Sequence, residues 1–158
     1  DIGIVKLLPK TSYYLKKINW EIYMFSHVML GANDIEESKA FYDATLSVLG
    51  ARPGKLSLNH DGHTRYIYFV NNQNSFIISQ PINNKEASHG NGATIGFNAS
   101  SEEMVNEWYE AGKKVGGLDP ELCEPPGVRE GGGVKMYLAY LLDPSGNKVC
   151  TMFRLPRE

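Results

Sequence analysis

The strongest constraint in this sequence is that part of it occurs twice. Moved 67 positions along the chain without a gap, His27-Val-Met-Leu-Gly-Ala-Asn-Asp through Phe41-Tyr42-Asp43-Ala44 to Gly50 falls on Thr94-Ile-Gly-Phe-Asn-Ala-Ser-Ser through Trp108-Tyr109-Glu110-Ala111 to Gly117. Ala32 meets Ala99, Phe41 meets Trp108 and Gly50 meets Gly117. Such a repeat fixes architecture before any single motif does, because each copy is one supersecondary unit that must bury its apolar face against a neighbour. A second offset, of 72 positions, sets Val70-Asn71 on Leu142-Asp143 and Ile77-Ile78 on Val149-Cys150, so the ends of the copies correspond as well.

Each copy opens on a short apolar segment, Phe25 to Leu30 and Ala93 to Asn98, followed by helix-starting residues, Asn33-Asp34 and Ser100-Ser101. Asp34 with Glu37, and Ser100 with Glu103, have the spacing of a capping box. Ile35, Ser38, Tyr42, Leu46 and Leu49 then recur at helical intervals, as do Met104 or Val105, Trp108, Ala111 and Val115 in the second copy. Gly50 and Gly117 are the expected helix stops. Lys55 to Asn59, Thr64 to Val70 and Ser75 to Gln80 read as three strands joined by polar turns. The second copy has a Pro- and Gly-rich connection from Gly116 to Gly133, then Val134 to Leu142 and Asn147 to Phe153 around Asp143-Pro-Ser-Gly. Its middle strand should be short or irregular, and Leu122 to Gly133 has the length of a flexible lid. The class is therefore α+β, with modules at about 24–82 and 92–154.

Composition narrows the function. A chain of 158 residues, 42% hydrophobic and 22% charged, builds one ordinary globular domain. A net charge of −2 with scattered lysines gives no basic stripe for nucleic acid, and no apolar run reaches the roughly 20 residues of a membrane span. Cys123 and Cys150 lack zinc-knuckle spacing and are too few for a disulfide framework, which favours a reducing, cytoplasmic setting. Residues 1–23 are expected to be an extension of separate role. Lys6, Lys10, Lys16 and Lys17 break any secretion-signal core, the chain begins with Asp, and Met24 directly precedes the first strand. They read either as a tail or as a segment that packs on this domain or on a partner chain.

Ser26-His27-Val28, Ala40-Phe41-Tyr42 and Asp143-Pro144-Ser145-Gly146-Asn147, set within a strand, helix and three strands repeated twice, resemble the vicinal oxygen chelate superfamily. That superfamily holds glyoxalase I, bleomycin-resistance proteins, fosfomycin-resistance enzymes and extradiol dioxygenases. The resemblance covers about residues 24–154 and implies two βαβββ modules whose paired curved mixed sheets enclose a cleft, helices outside, commonly in a homodimer. It also implies a divalent metal held by two His and two carboxylates from the first and last strands of each module. Carried over, those four positions fall on His27, Ile78, Thr94 and Cys150. Only His27 keeps a family ligand.

The expectation is a small-molecule cleft with a degenerate metal site and no required cofactor, binding an amphipathic compound to sequester or process it. Expected cleft residues are His27, Tyr66, Tyr68, Gln80, Thr94, Tyr137 and Cys150, with Gln80 a poor oxygen donor and Cys150 an inert thiol rather than a nucleophile. His60, His63 and His89 fall in polar turns as solvated residues, with His63 or His89 able to overhang the cleft mouth. The competing readings are a metal-dependent lyase, isomerase or dioxygenase using His27 and rearranged ligands, and an interaction module joined through the N-terminal extension.

Overall fold

A computed structural model describes residues 25–69 and 74–156. The repeat folds as two βαβββ modules. The first contains β1 (His27–Gly31), α1 (Ile35–Val48), β2 (Lys55–Leu58), β3 (Thr64–Phe69) and β4 (Ser75–Ser79); the second contains β5 (Ile95–Asn98), α2 (Glu102–Lys114), β6 (Gly127–Gly131), β7 (Val134–Leu142) and β8 (Lys148–Arg154). Each makes a four-stranded mixed sheet, ordered β1-β4-β3-β2 and β5-β8-β7-β6, in which the first strand runs parallel to the last. The class is α+β, as the repeat requires. The segment 1–23 lies outside the described residues.

The helices start where short polar side chains can satisfy unpaired backbone donors. Asp34 Oδ1 accepts from Glu36 N and Glu37 N, both at 2.9 Å, and Ser101 Oγ accepts from Met104 N at 3.2 Å. Ser100, the expected cap, instead donates to the Met104 sulfur. At the other end of α2 the left-handed residue is Gly116, at φ +92°, rather than Gly117. Gly117 is buried and reserved for close packing: a Cβ there would come within 2.9 Å of the Phe41 ring.

Two further expectations are corrected in the second module. The connection from Gly116 to Gly133 contains strand β6, paired with β7 through Arg129↔Met136 and its neighbours. Gly132 and Gly133, both with positive φ, form the turn of that hairpin instead of part of a lid. The strand is hard to read in sequence because Gly127-Val-Arg-Glu-Gly offers one β-branched residue between glycines. Its partner β7 spans Val134–Leu142, the bounds expected from the sequence, and the short strand of the module is β6 itself, five residues long.

The core lies between helices and sheets. Tyr42 of α1 packs against Phe76 of β4, ring centroids 4.7 Å apart, and against Tyr68 of β3 at 6.2 Å. Phe76 in turn meets Phe97 of β5 edge-on at 5.4 Å, joining the modules. Helix α1 packs on α2, and Gly112 lies at that contact, its missing Cβ being 2.4 Å from Leu141 Cδ1 of β7 and 3.1 Å from Thr45 Cγ2 of α1.

A buried polar clamp completes the join. The turn between β7 and β8 folds Asp143 beneath α1, where its carboxylate accepts from Ser145 N, Asn147 N, Asn147 Nδ2 and Tyr42 Oη at 2.8–2.9 Å. Asn147 Nδ2 also donates to Gly31 O at 3.0 Å, and Asn33 N donates to Ser145 Oγ at 2.9 Å. The Asp-Pro-Ser-Gly-Asn sequence is thus a bracket from the second module to the first.

Candidate functional site: the open faces of the two sheets

Residues opposed across a ladder point to the same side of their sheet, so one anchored contact assigns a whole register. Tyr66 Oη donates to Glu36 of α1 at 2.7 Å, and Tyr68 touches Tyr42, which puts the even-numbered residues of β3 beneath α1. Through the pairings Tyr66↔Ile78 and Leu30↔Ile78, the same side holds Leu30 and Ile78. The opposite, open face therefore carries three rows: His27, Ser75 and Phe69; Met29, Ile77, Ile67 and Lys55; Gly31, Ser79, Arg65 and Ser57. In the second module Tyr137 Oη donates to Asn106 of α2, and Leu141 lies against Gly112. The open face there belongs to Cys150, Met152 and Arg154 of β8, to Tyr140, Leu138 and Met136 of β7, and to Arg129 of β6.

This division separates the expected cleft residues. His27 and Cys150 occupy open faces, and Thr94 precedes β5 beside Gly96, the partner of Cys150. Tyr66, Tyr68 and Tyr137 lie on the helix side. Ile78, placed by the repeat at a ligand position, is 1% exposed in the core beneath α1. Its open-face neighbours are Ile77 and Ser79. Gln80 spends its amide oxygen on Thr64 N at 2.8 Å and lines a cavity of about 580 Å³ with His63 and Asn84, away from the His27 row. His63 Nε2 lies 3.0 Å from Asn84 Oδ1, and the His89 ring covers Gly146. Tyr140 was not among the expected residues, although strand alternation sets it with Cys150 once the side of the sheet is known.

Burial sets the chemistry of the second open face. It pushes the Cys150 thiol up to about 11, so the sulfur is protonated at neutral pH. Burial raises the Tyr140 phenol too, with smaller contributions from Cys150 and Cys123. Both cysteines are free thiols. On the first open face Met29 and Phe69 are more than half exposed, and a cavity of about 390 Å³ lies where Gly31 and Ser79 meet the segment from Pro81 to Ser88. Within one chain no Cα of β1 comes within 8 Å of one in β5 or β8, so His27 and Cys150 stand apart at the backbone. Among the described residues no three His, Cys, Asp or Glu side chains converge as a metal site would require, and no helix is long and apolar enough to cross a membrane.

The family model for the glyoxalase/bleomycin resistance protein/dioxygenase superfamily matches residues 24–151, which spans both modules and the bracket. The chain belongs to this superfamily. A glyoxalase/bleomycin resistance protein from Albidiferax ferrireducens T118 is 49% identical, covering 82% of this chain and 98% of its own, with a TM-score of 0.73. A genomically encoded fosfomycin resistance protein from Listeria monocytogenes is 19% identical over 87% of this chain and 95% of its own, with a TM-score of 0.56. A glyoxalase/bleomycin resistance protein/dioxygenase family enzyme from Burkholderia phytofirmans PsJN is 15% identical over 82% and 98%, with a TM-score of 0.58. The last two likenesses are of fold alone. No curated protein matches the chain. For a member of the glyoxalase/bleomycin resistance superfamily, the informative departure is the donor set: His27 is joined on the open faces by a protonated thiol and by no carboxylate of the described strands.

Proposed function

We propose that this protein is a small-molecule-binding member of the superfamily, whose cleft holds an amphipathic compound without a divalent metal. The observation that carries the reading is the donor set of the open faces. Four ligands, or three and a water, are the usual minimum for a catalytic divalent ion. His27 supplies one nitrogen; Cys150 is a high-pKa thiol, Thr94 is a hydroxyl, and both Ile78 and its open-face neighbour Ile77 are hydrocarbon. The group does not fit these residues. What they supply instead is exposed apolar surface, Met29 and Phe69, bordered by polar groups, the usual composition of a ligand pocket.

A cleft between two open faces is completed, in this reading, by a second copy. His27 and Cys150 stand on different sheets, and no Cα of β1 lies within 8 Å of the second sheet's strands in one chain. Pairing the first sheet of one chain with the second sheet of another would bury the Met29 row and enclose a ligand between the modules. Elemental analysis by mass spectrometry, on full-length protein purified without a histidine tag, tests the absence of a resident metal. The expected result is far less than one zinc, nickel, manganese or iron per chain, with ligand binding unchanged after chelation. One tightly held ion per cleft, with binding lost on its removal, overturns the proposal in favour of a metal-dependent lyase, isomerase or dioxygenase.

A further inference from the structure

We propose that the cleft is selective for organic carboxylates, and that Arg65 receives the charged group. The inference rests on the reading of the open faces as the ligand surface. Its first support is a charge asymmetry between the two sides of the sheets. The chain has 18 acidic residues, yet no described strand turns a carboxylate to an open face. Glu130 of β6, the single strand carboxylate, takes the helix-side register beside Lys135. The same open-face positions hold five cations, Lys55, Arg65, Arg129, Lys148 and Arg154. A net charge of −2 for the whole chain does not predict a cationic interior to its cleft.

The second support singles out one of the five. Arg129 is committed to Glu124 at 3.1 Å and to the carbonyls of Pro125 and Val128. Lys148 lies 5.8 Å from the centroid of the Tyr140 ring. Arg65 stands differently: its Nε is buried with no hydrogen-bond acceptor, and Nη2 makes a long contact of 3.4 Å to Leu58 O. Like Lys55, Lys148 and Arg154, it is in none of the ion pairs among the described residues; the unsatisfied Nε is what sets it apart. A buried guanidinium N–H without an acceptor is costly, and a turn of the side chain toward the open face would relieve it by bringing the planar fork of Nε and Nη onto the two oxygens of a carboxylate.

Position supplies the rest of the ligand. Arg65 and Ser79 share one row of the sheet, and the next, about 7 Å along the strands, is the apolar row of Met29, Ile77 and Ile67. A carboxylate on Arg65 thus leaves a hydrocarbon or aromatic body lying on that row. Glu86 borders the adjoining cavity from the segment between the modules.

The probes are 1-naphthoate and its neutral near-isostere 1-naphthamide, titrated calorimetrically into the full chain at low and high salt. Naphthoate should bind at least about tenfold tighter than naphthamide at low salt, as expected for a charge-assisted fork. Arg65→Gln should abolish that preference while leaving naphthamide affinity unchanged; Arg65→Lys should keep part of it, and Arg52→Gln, at an exposed position in the connection before β2, all of it. Equal affinity for the two probes, or a preference that persists in Arg65→Gln, overturns the inference and leaves the ligand cleft standing. Failure of both probes to bind overturns the cleft reading and this inference with it. Should Arg65→Gln not fold, Arg65→Lys and the wild-type salt dependence decide: a naphthoate affinity indifferent to salt and unchanged in Arg65→Lys rejects the assignment.

Discussion

At the scale of single residues the heaviest demand falls on Asp143. Its side chain is part of a residue only 2% exposed, and it accepts four hydrogen bonds from Tyr42, Ser145 and Asn147. Asp143→Ala strands those donors in the core, so chemical denaturation should show a loss of about 3–5 kcal/mol, against about 1 kcal/mol for Tyr42→Phe, which removes one bond and leaves the carboxylate otherwise satisfied. Burial, then the Asp143 carboxylate, holds the Tyr42 phenol well above 10, and burial raises Tyr68 in the same direction. An unfolded phenol ionises near 10 while these keep their protons, so the folded state binds more protons above that pH. Their stabilisation is complete below about pH 10 and falls by about 1.4 kcal/mol per pH unit for each phenol above it. Denaturant midpoints measured across the alkaline range should drop more shallowly in Tyr42→Phe than in the parent. The turn itself was legible in Asp143-Pro-Ser-Gly, but its buried grip on Tyr42 was not, because nothing local joins residues 101 positions apart. Tyr66 and Tyr68 show the complementary gap: alternation puts them on one face, and only the position of α1 says which face that is.

At the scale of elements, α2 carries an exception to its own propensities. Gly112 lies inside the helix, where alanine would ordinarily be worth about 1 kcal/mol. Here a methyl group would enter space already held by Leu141, Thr45 and Phe41, all buried and unable to swing aside. Overpacking of this kind costs about 1–3 kcal/mol, so Gly112→Ala should lower the unfolding midpoint, with the sign opposite to that of a helix-propensity effect. A stabilised variant in thermal melts would show that α1 and α2 separate more easily than their packing implies. Helices and hairpins were readable because caps, periodicity and turns are local signals. Strand β6 and the helix stop at Gly116 were not, since the first depends on pairing with β7 and the second on which of two adjacent glycines the packing against Phe41 reserves.

For the whole molecule, the repeat predicts two similar sheets, and the fold leaves one face of each without a helix. On the first, Met29 and Phe69 are 51% and 58% exposed, in adjoining rows of the ladder. Apolar residues gathered this way mark an interaction surface more often than scattered ones do. A second copy suits it because the carboxylate-free face of the other module, where Met136, Leu138 and Met152 lie among its cations, belongs to the same chain and has no Cα within 8 Å of β1 there. Light scattering coupled to size-exclusion chromatography should therefore give about twice the 17.6 kDa chain mass. Met29→Lys sets a charge in the middle of the contact while leaving the helix-side core untouched, so it should yield the single-chain mass with a nearly unchanged far-ultraviolet spectrum and a weakened ligand. A wild-type protein that elutes as one chain at micromolar concentration, yet binds ligand normally, would mean that a single open face is the complete site.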